Sequence, residues 1–292
     1  MGSGGAGWQR VVKGMAISSP QKQQAPGFRE LEAEVLGDGW ISPEDVLKLR
    51  REIYREGGIG RDEAAFLFHL NRKNVAADPA WTTFFVEALT DFLYWREGTD
   101  SRLTDDAEAM LFEWLGPASE LDDATELRLL LELVFRSNGS SERFQAFVLE
   151  AVRHSVLHSS HALYGHLGRR PGAIDRADVE VIRKLVYGLA GQKGMAIGRA
   201  EAEFLFALND ATAGQKNDPA WCDLFVKAIA MHLLHGGPSP DAVDEDEARW
   251  LVARIEVDGK DHDNERALLA YVRREATHLP ASLEPLCQRF GV

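Results

Sequence analysis

An internal repetition constrains this chain more than any other feature. Ile59-Gly60-Arg61, Glu63-Ala64, Phe66-Leu67-Phe68 and Leu70-Asn71 return in the same order as Ile197-Gly198-Arg199, Glu201-Ala202, Phe204-Leu205-Phe206 and Leu208-Asn209. Asp78-Pro79-Ala80-Trp81 returns as Asp218-Pro219-Ala220-Trp221, and Phe85-Val86 with Ala88 as Phe225-Val226 with Ala228. Agreement this dense predicts a duplicated module. It speaks to architecture before activity, because most of the repeated residues are those that build and cap helices.

Each strong copy reads as three helices. Ser42-Pro43-Glu44-Asp45 opens the first, with Ser42 as cap, Pro43 at the first helical position and acids in the positive first turn. Val46, Leu49, Ile53 and Tyr54 form its apolar stripe, and Gly57-Gly58 ends it. The second starts near Arg61, and the third at Asp78-Pro79, burying Trp81, Phe84, Phe85 and Leu89. A weaker copy opens at Leu103-Thr104-Asp105-Asp106. The third unit opens at Ile174-Asp175, and the fourth at Val243-Asp244-Glu245-Asp246. No apolar stretch has strand periodicity. The expected fold is therefore all-α: tandem helical-bundle repeats, each half a strong and a degenerate three-helix unit. The expected organisation is a disordered tail over residues 1–28, a module over 29–167, a linker over 168–172 and a second module over 173–292.

The 292 residues carry a net charge of −13. That argues against non-specific nucleic-acid binding, which needs clustered Lys and Arg, and favours cations or basic protein surfaces. Two distant cysteines, Cys222 and Cys287, form no disulfide framework and fit a reducing cytoplasm. No apolar run approaches the roughly 20 residues of a transmembrane helix. The N-terminal Gly/Ser/Gln/Pro-rich stretch has Arg10, Lys13 and Lys22 but no apolar core of a signal peptide.

Two residue patterns suggest metal chemistry. Glu52, Glu56, Gly57, Ile59 and Glu63 fall at positions one, five, six, eight and twelve of a helix-loop-helix Ca²⁺ loop, although Tyr54 takes the third position. Asp38-Gly39 and Asp258-Gly259 open poorer loops. The competing explanation is structural: Gly breaks a helix and the acid favours the next helix start. The second pattern is His154, His158 and His161, at i, i+4 and i+7 on one helical face, where neutral imidazoles could share a transition metal. Histidines near a helix C-terminus are also favoured by the dipole alone.

Asp-Gly, an apolar residue, Ser or Asp, then an acid opening an apolar helix resembles the TerB-like (tellurite-resistance) domains. It stands as Asp38-Gly39-Trp40-Ile41-Ser42-Pro43-Glu44 and, less fully, as Asp258-Gly259-Lys260-Asp261. The resemblance implies a compact helical bundle in stress- or envelope-linked assemblies, whose acidic loops, here with Asp38 and Glu44, bind a divalent cation such as Ca²⁺. It brings no catalytic residues. Units one and three depart from the pattern, carrying Gly-Gly-Ile-Gly-Arg and Met-Ala-Ile-Gly-Arg.

Arg61 and Arg199 are repeated at helix starts, where a positive charge opposes the dipole, so each is expected to meet an acid or a ligand. Asn71 and Asn209 are repeated polar residues with no capping role, and join them as binding candidates. Phosphate-loop, dinucleotide and nucleophile-elbow motifs are missing from the sequence. The expectation is a non-catalytic cytoplasmic adaptor that binds a protein partner and is modulated by a divalent cation. The alternative is a transition-metal enzyme or sensor built on the His154/His158/His161 face.

Overall fold

A computed structural model describes residues 26–73, 76–98, 100–158, 171–192, 194, 196–235 and 241–292. Within them run thirteen α-helices, and the only β features are two isolated bridges. The all-α class expected from periodicity is what the chain adopts.

In the first half, α1 spans Pro26–Val35, α2 Pro43–Ile53, α3 Arg61–Lys73, α4 Pro79–Asp91, α5 Asp105–Leu115, α6 Ala124–Arg136 and α7 Glu142–His158. In the second, α8 spans Arg176–Gly191, α9 Arg199–Thr212, α10 Pro219–His235, α11 Glu245–Ile255, α12 Asp263–Glu275 and α13 Glu284–Phe290. The helix α1 begins inside the stretch read as tail over residues 1–28. Phe28 stacks on Phe66 with ring centroids 4.5 Å apart, so apolar contact holds the chain from there on. Residues 1–25, and 168–170 of the expected linker, lie outside the described residues.

Local chemistry sets the helix starts. Ser42 accepts the Asp45 N–H and Asp45 returns to the Ser42 N–H, a complete capping box. Asp175 with Asp178, and Asp244 with Glu247, repeat it for α8 and α11. Asp78 and Asp218 cap α4 and α10, with Pro in the first helical turn each time.

Tertiary clips follow the same spacing. The segment entering α2 is tied to the segment entering α4 by Asp78 N–H to Ile41 O at 2.9 Å. Asp218 N–H to Ile174 O at 2.8 Å does this between the starts of α8 and α10. Asn138 N–H to Ser101 O, and Val243 N–H to His278 O, complete the series before α5 and α11. These clips satisfy backbone groups that the loops would otherwise bury unpaired.

The core is continuous across both halves. Trp81, Phe84, Phe85 and Phe92 fill the first, and Trp221, Phe206 and Phe225 the second, all fully buried. Helix α6 packs on α8, and α7 on α9. Lys184 Nζ sits 4.1 Å from the Phe135 ring centroid, and Gln192 donates to Val134 O at 3.1 Å. Helix α4 ends in a π-turn over Phe92–Arg96, which leaves Trp95 83% exposed.

Candidate functional site

Two helix junctions, at positions the sequence repeat matches, bury Asn71 with Glu126 and Asn209 with Glu265. In the first half α3 ends against the start of α6. Trp81 donates its indole N–H to Asn71 Oδ1 at 2.9 Å, and Asn71 Nδ2 donates to Asp123 Oδ1 at 3.1 Å. That same oxygen accepts the Glu126 N–H and caps α6. Glu126 is 4% exposed, with Arg72 Nε 3.6 Å from its Oε1. Burial, then repulsion from Asp123, pushes the Glu126 carboxyl up to about 7 against the pull of Arg72.

In the second half α9 ends against the start of α12, and the chemistry changes. Asn264 Nδ2 donates to Asn209 Oδ1 at 2.9 Å. The other donors there, Asn209 Nδ2 and Trp221 Nε1, are buried without an acceptor. Asp210 follows Asn209, where Arg72 follows Asn71. His262 takes the N-cap position of α12, and its backbone N–H donates to Glu265 Oε2 at 3.1 Å. Its Nε2 is hydrogen-bonded to Asp258 Oδ2 at 2.7 Å. Arg254 Nη2 reaches Asp210 Oδ2 at 2.9 Å, while its Nε lies 3.2 Å from Glu203.

One ligand atom each from Asp210, His262 and Glu265 comes within 4.8 Å of the other two, the one such cluster of three among the described residues. Glu265 is 1% exposed. Burial first, then Asp210 and Asp258, push its carboxyl up to about 7, although the His262 N–H and ring oppose this. Burial raises Asp210 as well. His262, Asn209, Trp221, Cys222 and Asn264 share the wall of a cavity of about 490 Å³.

No family model, curated protein or solved structure matches this chain.

The residues singled out in the sequence fall into separate places. Glu52, Glu56 and Glu63 line one cleft of about 510 Å³ between α1, α2 and the start of α3, joined by Glu30 and Glu34. Glu63 accepts the Gly60 N–H at 2.9 Å, and Glu52 pairs with Arg55 at 3.1 Å. Asp38 lies apart from them, bending its loop by accepting the Trp40 N–H, and Glu44 is exposed in the first turn of α2. His154 and His158 sit side by side on α7 with ring centroids 4.9 Å apart, and His161 lies outside the described residues. Arg61 meets Glu97 at 3.5 Å, and Arg199 lies over the Trp250 ring at 4.5 Å and 3.9 Å from Glu203.

Sequence reasoning reached Asn209 and the Asp258…Glu265 loop but did not join them through Asp210. The available signal was a charge reversal, Arg72 against Asp210, directly after a repeated asparagine.

Proposed function

We propose that the protein is a non-catalytic cytoplasmic adaptor, a rigid helical scaffold whose acidic cleft between α1, α2 and α3 takes a basic segment of a protein partner. The observation that carries this reading is the convergence of Glu30, Glu34, Glu52, Glu56 and Glu63 on one cleft that also has Lys48 and Arg55 on its wall. Phe28, Leu31 and Ile53 give it apolar footing, so it offers charge and contact area together. The chain's net charge of −13 supports the same polarity by drawing basic partners. The resemblance to TerB-like domains adds stress-linked assemblies as the setting and a divalent cation as modulator.

Fluorescence anisotropy with a labelled Lys/Arg-rich peptide tests this, at low and high salt. Binding that weakens with salt and is lost in the Glu52→Gln/Glu56→Gln double variant supports the cleft. Equal binding by wild type and the double variant would sink it.

A second reading rests on the adjacent rings of His154 and His158. It makes α7 a transition-metal enzyme or sensor face, and requires a stoichiometric metal that His158→Ala removes.

A further inference from the structure

The two junctions differ in the residue that follows the repeated asparagine. In the first, Arg72 supplies a guanidinium to the buried Glu126 from within the chain. In the second, the corresponding residue is the carboxylate Asp210, and the buried acid Glu265 faces it and Asp258. Arg254 balances Asp210 but divides itself with Glu203. The site thus gathers three carboxylates, one imidazole and a guanidinium shared with Glu203, where its counterpart sets Arg72 beside Glu126 and Asp123. A buried carboxylate needs a compensating charge or a proton.

We propose that Asp210, His262 and Glu265 bind one first-row divalent transition ion, of the Zn²⁺ or Mn²⁺ class. The hydrogen bonds already described use Asp210 Oδ2 and Glu265 Oε2, and each carboxylate has a second oxygen. Donors held about 2.1 Å from one Zn²⁺ lie about 3.4 Å from each other. The three ligand atoms, now within 4.8 Å of one another, would have to draw together to reach that spacing. Asp258, now hydrogen-bonded to the His262 ring, either orients that ring from outside or joins as a fourth ligand.

Ligand type selects the metal. Ca²⁺ takes six to eight oxygens, whereas one imidazole and two or three carboxylates suit a smaller borderline ion. Asn209 and Trp221, whose Nδ2 and Nε1 are buried without an acceptor, line the same cavity as His262. This site is independent of the acidic cleft, so either can fail alone.

The test uses the full chain, stripped with chelator and titrated with Zn²⁺, Mn²⁺ and Ca²⁺ by calorimetry and by thermal unfolding. The expected result is one ion of the transition class bound more tightly than Ca²⁺. Affinity should fall at least tenfold, roughly, in His262→Ala and in Asp210→Asn, because a lost ligand costs no less than a lost outer-shell partner. His158→Ala and Glu52→Gln/Glu56→Gln should bind the ion as wild type does. Asp210 is half-buried, so Asp210→Asn keeps the test open if His262→Ala fails to fold, with circular dichroism as the check. Undiminished binding in Asp210→Asn, a preference for Ca²⁺, loss in His158→Ala, or no bound ion would each overturn the proposal.

Discussion

Trp81 and Asn71, ten residues apart in sequence, meet in the core through an indole N–H donated to the Asn71 side-chain oxygen at 2.9 Å. Both residues are buried, and the asparagine passes the contact on to Asp123 at the start of α6. One amide thus ties three helices. Asn71→Ala leaves the Trp81 donor buried without an acceptor and is expected to cost about 2 kcal/mol. Urea unfolding measures this. A loss under about 0.5 kcal/mol would show that the amide contributes shape rather than bonding.

Glu126 makes stability depend on pH. Its folded carboxyl is raised from 4.5 to about 7, so the folded chain holds a proton that the unfolded chain releases. Its contribution is complete below about pH 4.5 and is lost as pH rises through about 7. The span corresponds to at most about 3 kcal/mol. In Glu126→Gln the decline in urea midpoint between pH 5 and 7.5 should flatten. An unchanged slope would assign the pH dependence to other groups.

The tryptophans separate by position. Trp81 is 1% exposed, and Trp81→Ala should cost about 4 kcal/mol in lost transfer energy and cavity. Trp95 is exposed on the π-turn, and Trp95→Ala should change stability by less than about 0.5 kcal/mol. Denaturant midpoints of the two variants check the contrast, and equal losses would contradict it.

The α6–α8 contact admits a stabilising change. A Cβ built at Gly188 would lie 3.7 Å from Phe135 Cδ1, an ordinary contact, on a backbone with ordinary helical φ. Gly188→Ala should therefore gain about 0.7 kcal/mol by removing unfolded-state freedom. Thermal unfolding reads the sign, and a lower melting temperature would mean that the two halves cannot accept a methyl group there.

Ser42 carries one capping box. Ser42→Ala removes the acceptor for the Asp45 N–H and should cost about 1 kcal/mol. Ser42→Asp should retain most of it, which unfolding of the two variants side by side distinguishes from loss of packing.

Helix identity was legible because its causes are local. The caps at Ser42, Asp78, Asp175, Asp218 and Asp244, the prolines behind three of them, and the 3.6-residue stripes each act within a few residues. Trp81 and Trp221 could be placed in the core from spacing alone. The repeated Arg61 is expected to meet an acid or a ligand, and its guanidinium lies 3.5 Å from Glu97. Tertiary structure alone decided which polar groups share a site. Asp210 and Glu265 are 55 positions apart in numbering, and their meeting depends on how α9 crosses the start of α12. It also seated Glu52, Glu56 and Glu63 in a cleft with Glu30 and Glu34 of α1, a helix the loop spacing does not include. The two halves likewise share one core because α6 and α7 present apolar faces that α8 and α9 cover. Capping and periodicity are short-range and are written in consecutive residues. Charge convergence is long-range, and it exists only once hydrophobic burial has chosen the helix crossings.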